Sequence, residues 1–218
     1  MKSRYLLTSA YILYHCCPMR AKTEKKVLEL VKAKGVMRPV DLDTYGIQRK
    51  YLNILLYKGL LDRIGRGLYT AKDTQPTEHH TLAEVCKRVP SGVVCLLSAL
   101  QFHGLTTQMP HQVWLAIDVK AREPSETSPP LRIMRFSGPA FMEGVEEHDV
   151  EGVQVKVYNP AKTVVDCFKF RNKIGLDVAL EALRDCRRQR RCSNDDLWRY
   201  AKVCRQTKVM QPYLEALA

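Results

Sequence analysis

At Gly59 the hydrophobic period of this chain changes, and that change limits what its first third can become. Upstream, apolar residues recur at helical spacing. Over residues 23–34 they are Val27, Leu28, Leu30 and Val31, with lysines on the other face and Gly35 as a stop. Pro39 stands where a first helical residue belongs, and Val40-Asp41-Leu42 predicts a short helix ending near Gly46. A third helix is expected over residues 48–58, with Tyr51, Leu52, Leu55 and Leu56 on one stripe. Downstream, residues 61–64 and 68–70 read as strands around Gly65-Arg66-Gly67, a tight hairpin with an arginine at its tip. Three helices followed by a basic hairpin is the winged helix-turn-helix plan, which we assign to residues 19–75.

The remainder carries a different pattern. Residues 73–80 (DTQPTEHH) form a polar linker, and its two histidines are expected in solvent. Thr81 and Glu84 have capping-box spacing and predict a helix to about Arg88. Residues 91–103 predict a strand then a helix, stopped by Gly104. Strands are expected over 113–117 and 131–136, and over 145–150 and 153–158 around the turn Glu151-Gly152. Four helices follow: one from Pro160 to about Phe170, one through Leu176, Ala179, Leu180 and Leu183 into residues 184–191, one capped by Ser193, and one ending at Leu217. The fold class is therefore α+β: a winged helix-turn-helix, then a small mixed sheet flanked by helices over residues 76–218. Residues 1–18 match no processing signal well, and we read them as an upstream extension from a mis-called start codon.

Charge separates the chain into three parts. Residues 1–75 hold 15 basic and 6 acidic side chains, residues 76–159 hold 7 and 10, and residues 160–218 hold 13 and 7. The total of +12 calls for an anionic partner, and its concentration at the two ends suits a nucleic-acid surface. No stretch is long and apolar enough for a membrane helix, so no membrane partner is expected. The eight cysteines show no CxxC and no zinc-finger spacing. Cys86, Cys95 and Cys167 lie among apolar residues as reduced core thiols, which points to the cytoplasm, and neither metal nor cofactor is expected.

Several stretches resemble one family, the AbiEi-type antitoxins of bacterial type IV toxin–antitoxin systems. They are GLLDRIGRGLYT (59–70), CLLSALQFHGLTTQ (95–108), VWLAI (113–117), PLRIMRFSG (130–138) and NPAKTVVDCFKFRNKIGLDVALEAL (159–183). The resemblance covers most of the chain from about residue 22. It implies an N-terminal winged helix, a C-terminal antitoxin domain, repression of the protein's own promoter through inverted repeats, and a nucleotidyltransferase-like toxin as functional partner. It implies no catalytic activity.

The residues themselves nominate the contacts. Gln48, Arg49, Lys50 and Asn53 lie off the apolar stripe of the third helix, where a recognition helix meets base edges. Arginine and lysine suit guanine, while glutamine and asparagine suit adenine. Arg63 and Arg66 on the hairpin suit phosphate or minor groove. Arg184, Arg187, Arg188, Arg190 and Arg191 exceed what a helix end requires and form a candidate second surface for an anion or partner. Two alternatives remain: a stand-alone winged-helix regulator, or a metal-dependent nuclease using Asp118 and Lys120, for which residues 74–117 offer no aspartate, only Glu78 and Glu84, to share a metal.

Overall fold

The computed structural model describes residues 18–65, 67–73, 77–124 and 129–216. The chain divides into two compact units, Met1–Gln75 and Pro76–Ala218. Of the N-terminal segment expected as an extension, only Pro18 is described.

The first unit runs α1 (Pro18–Lys34), β1 (Val36–Met37), a 3₁₀ helix (Pro39–Tyr45), α2 (Lys50–Tyr57), β2 (Leu61–Gly65) and β3 (Leu68–Ala71). α1 starts five residues before the expected Thr23, with proline at its first position, where the missing N–H costs nothing. Its buried stripe is Glu24, Val27 and Val31, spaced three and four residues apart. Glu24 is tolerated there because its carboxylate pairs with Lys58 at the end of α2 and with Arg20 Nε at 3.4 Å. The sheet order is β1-β3-β2, all antiparallel. β1, which pattern alone did not disclose, is two residues long and owes its strand state to pairing with Tyr69 and Thr70. Val27, Val31, Met37, Leu42, Ile47, Leu52, Leu55, Leu61 and Tyr69 close one core. This is a winged helix.

The second unit is α3 (His80–Arg88), β4 (Val93–Val94), α4 (Leu96–Phe102), β5 (Val113–Asp118), β6 (Leu131–Phe136), α5 (Pro139–Met142), β7 (Val145–Val150) and β8 (Val153–Tyr158), followed by helices. Those are α6 (Pro160–Lys169), α7 (Arg171–Ile174), α8 (Leu176–Arg188), α9 (Asn194–Val203) and α10 (Thr207–Ala216). The sheet order β6-β5-β4-β8-β7 is mixed: β6 with β5 and β4 with β8 run parallel, the other pairs antiparallel. Glu151 and Gly152 both take positive φ, the two-residue turn whose twist matches its strands.

α6 packs against α4, α8 and α9, so it is buried on every side from Ala161 to Phe168. That burial encloses an ion pair, Lys162 with Asp166, both fully buried. Lys162 Nζ also lies 4.1 Å from the Tyr158 ring centroid, and the Cys204 thiol donates to Asp166 at 3.4 Å. Burial pushes the Asp166 carboxyl above its usual range, and Lys162 opposes that rise. Gly144 permits this packing, since a Cβ there would sit 2.8 Å from the Lys162 Cβ.

Three expectations need correction. Thr81 and Glu84 do not form a capping box: α3 begins at His80, and Glu84 instead accepts from Arg88 at 2.7 Å, one turn on. His79 and His80 are not solvated linker residues. His80 Nδ1 lies 2.6 Å from Glu151, and the His79 ring packs 4.8 Å from Phe102. α8 ends at Arg188 rather than running through residue 191, and its end is tied by a bond unseen in the sequence, the Cys186–Cys192 disulfide.

Candidate nucleic-acid interface

The 3₁₀ helix ends on Gly46, whose φ of +65° reverses the chain in a conformation that glycine adopts freely. Ile47 then anchors the turn in the core, and the next three residues, Gln48, Arg49 and Lys50, are all exposed at the start of α2. Leu52 and Leu55 hold the opposite side of α2 in the core. The arrangement projects a polar, basic helix start outward from an apolar base.

The nominated residues differ in how freely they can reach a ligand. Arg49 makes a two-bond ion pair with Asp43: Nε donates to Oδ1 at 3.0 Å, and Nη2 donates to Oδ2. That pair holds the Asp43 carboxyl below its usual range. Asn53 lies one turn beyond Arg49, and its Oδ1 accepts from the Tyr69 hydroxyl at 3.0 Å, which fixes the amide against β3. Lys50 is exposed, with its ammonium 5.9 Å from the Tyr51 ring centroid. Arg63 on β2 donates from Nε to the Gly65 carbonyl at 3.2 Å and is otherwise exposed. Arg66 lies outside the described residues.

Two further residues belong on this face. Tyr57 lies three and seven residues along α2 from Ile54 and Lys50, is 91% exposed, and shares the helix face of Lys50 and Asn53. Asp43 is the other, because it competes for Arg49. Charge pattern could have flagged Asp43; nothing in a lone tyrosine flagged Tyr57.

In the second unit the five nominated arginines separate. Arg187, Arg190 and Arg191 line a shallow pocket of about 540 Å³ with Cys192, Ser193, Asn194 and Asp196. Arg187 donates to Asn194 Oδ1, another residue of that lining. Arg188 instead pairs with Asp185 at 2.9 Å, and Arg184 is exposed on α8. Asp118, proposed as a metal ligand in the nuclease alternative, accepts from the Lys120 backbone N–H at 2.8 Å in a local turn. Among the described residues no group of three His, Cys, Asp or Glu side chains is placed to hold a metal.

Fold and face together define a winged-helix protein with an exposed, basic start to α2. Residues 25–72, within the first unit, match the family model described as "Transcriptional regulator, AbiEi antitoxin". Among solved structures the chain is similar to the RV2827C protein from Mycobacterium tuberculosis, with a TM-score of 0.54 and 14% identity. That match covers 86% of this chain and 72% of the other, and it supports the fold. No curated protein matches the chain. No helix among the described residues is long and apolar enough to cross a membrane.

Proposed function

We propose that this chain is a DNA-binding transcriptional regulator that serves as the antitoxin of a type IV toxin–antitoxin operon. Its winged helix binds the operon's own promoter and represses it, and residues 76–218 counteract a nucleotidyltransferase-like toxin. The observation that carries this reading is the exposed Gln48-Arg49-Lys50 start of α2, set in a segment that matches the antitoxin-regulator family over residues 25–72.

The chemistry fits the task. Cations at the start of α2 and on the hairpin neutralise phosphates and release counterions, which supplies affinity without sequence preference. Gln48, Lys50 and a released Arg49 supply base contacts in the major groove. The residues assigned here bind and position DNA; none performs bond chemistry.

The test is binding of the full chain to its own upstream region against a scrambled duplex, together with growth of cells expressing the adjacent reading frame. Tighter binding to the upstream region and rescue of growth are expected. Binding without rescue would leave a stand-alone regulator, and neither result would remove the proposal.

A further inference from the structure

Among the described residues the six cysteines fall into two chemical classes. Cys86, Cys95, Cys167 and Cys204 are free and buried. Burial pushes the Cys86 and Cys204 thiols up to about 12, and those of Cys95 and Cys167 well above their usual range, so all four are poor nucleophiles. Cys186 and Cys192 are different. Their Cα atoms lie 6.0 Å apart and their sulfurs are bonded. Cys186, on α8, is fully buried, while Cys192 is the one described cysteine that is partly exposed.

The surroundings of Cys192 favour its reactive form. It shares its pocket with three arginines, Arg187, Arg190 and Arg191, against one carboxylate, Asp196, and with the first residues of α9, the positive end of that helix. A positive environment stabilises thiolate, the species that attacks an oxidant. The backbone adds a second observation. Arg191 N–H bonds the Cys186 carbonyl at 2.9 Å and Arg190 N–H bonds the Arg187 carbonyl at 3.0 Å, which closes α8 in a Schellman turn. The turn puts Arg190 at φ +55°, the left-handed position that glycine usually takes. An arginine stands there, beside the one partly exposed cysteine among the described residues.

We propose that Cys192 is an oxidant-sensitive thiol, that Cys186 is its resolving partner, and that their bond sets the order of the arginine turn between α8 and α9. The oxidant is hydrogen peroxide. The Cys192 thiolate attacks one peroxide oxygen, the O–O bond breaks, hydroxide leaves, and Cys192 becomes a sulfenic acid. The Cys186 thiol sulfur then attacks the Cys192 sulfur, the S–O bond breaks, and the thiol proton leaves with the hydroxyl as water. Two thiols have lost two electrons to the peroxide. A low-molecular-weight thiol reverses the change by two exchange steps and is itself oxidised to its disulfide. When oxidised, the turn is held by the covalent bond as well as by the Arg187–Asn194 hydrogen bond. When reduced, it is held by hydrogen bonds alone, and the three arginines gain freedom. This inference stands apart from the assignment of DNA binding.

The experiment uses the full chain, reduced, desalted and titrated with hydrogen peroxide. Free thiols are then alkylated and mapped by mass spectrometry, which also separates Cys16 and Cys17. The expected first product is the Cys186–Cys192 linked peptide, formed while Cys86, Cys95, Cys167 and Cys204 remain reduced. Cys186→Ser should stop at a Cys192 sulfenic acid captured by a 1,3-dicarbonyl probe, and Cys192→Ser should leave Cys186 unmodified. Trypsin should cut between residues 187 and 192 several-fold more slowly in the oxidised protein than in the reduced one. A Cys192 that reacts no faster than the buried thiols, or a missing linked peptide, overturns the redox assignment. Equal trypsin rates in the two forms overturn the link to the arginine turn.

Discussion

Asp43 Oδ1 accepts a hydrogen bond from Arg49 Nε at 3.0 Å, and its second oxygen accepts another from Nη2 of the same guanidinium. The arginine proposed to read a base at the start of α2 is thus already occupied by a carboxylate, in the same two-pronged geometry that guanine offers through O6 and N7. A base edge must replace Asp43, and a partner that offers only one acceptor replaces it poorly. Under the proposed function, Asp43 would therefore discriminate against wrong sequences by competition.

Asp43→Asn should release Arg49 and remove a negative charge near the phosphates. Affinity for scrambled duplex is expected to rise roughly two- to fivefold, more than affinity for the upstream region, so specificity falls. Equal gains on both duplexes would show that Asp43 acts only through net charge. The measurement is fluorescence anisotropy with both duplexes at one salt concentration.

The buried pair in α6 predicts strong non-additivity. Lys162→Met leaves Asp166 buried without its cation, and such losses typically cost about 3–5 kcal/mol. Adding Asp166→Leu removes the stranded charge, so the double variant should recover a large part of that loss. Urea unfolding of the wild type, both singles and the double would measure the coupling. Simple addition of the two single effects would mean the charges act independently.

The features that sequence disclosed and those that it hid differ for physical reasons. The hairpins were legible because glycines punctuate the strands, Gly65 and Gly67 at the first and Gly152 at the second. The winged helix was legible because its helices bury single stripes. The helix of α6 was legible from Pro160, but its enclosure on every side was not, because Lys162 and Asp166 have the spacing of an exposed helix pair and only tertiary packing encloses them. Asp43 escaped notice because it meets Arg49 across a turn. The thiol pair escaped because its six-residue spacing matches no redox or metal motif, and only the Schellman turn brings Cys192 back to Cys186. The capping pattern at Thr81 misled because Glu84 found a stronger partner in Arg88.

His103 predicts a pH dependence. Burial lowers its pKa, even though its Nε2–H donates to the Tyr158 carbonyl at 2.8 Å and Glu146 attracts the proton; nearby Arg191 and His148 oppose protonation. The unfolded chain therefore binds the proton first, at about 6.5. Stability from this group is complete above that value and is lost as pH falls through the lower folded pKa. The loss is about 1.4 kcal/mol for each unit of depression. His103→Gln, whose amide can donate to the same carbonyl, should show a smaller fall in melting temperature between pH 7.5 and 5. An equal fall in both proteins would assign the acid sensitivity elsewhere.

The central claim is that the start of α2 reads promoter DNA. The most direct test compares the wild type with Gln48→Ala/Arg49→Ala/Lys50→Ala on the upstream region and on scrambled duplex across a salt series. Each lost phosphate contact should lower the slope of log K against log salt by about 0.9, and each lost base contact should cost about 1–3 kcal/mol on the upstream region only. The account predicts that the triple variant, folded by circular dichroism, binds both duplexes weakly and almost equally, with a shallower slope. Undiminished preference for the upstream region, with an unchanged salt slope, would contradict it.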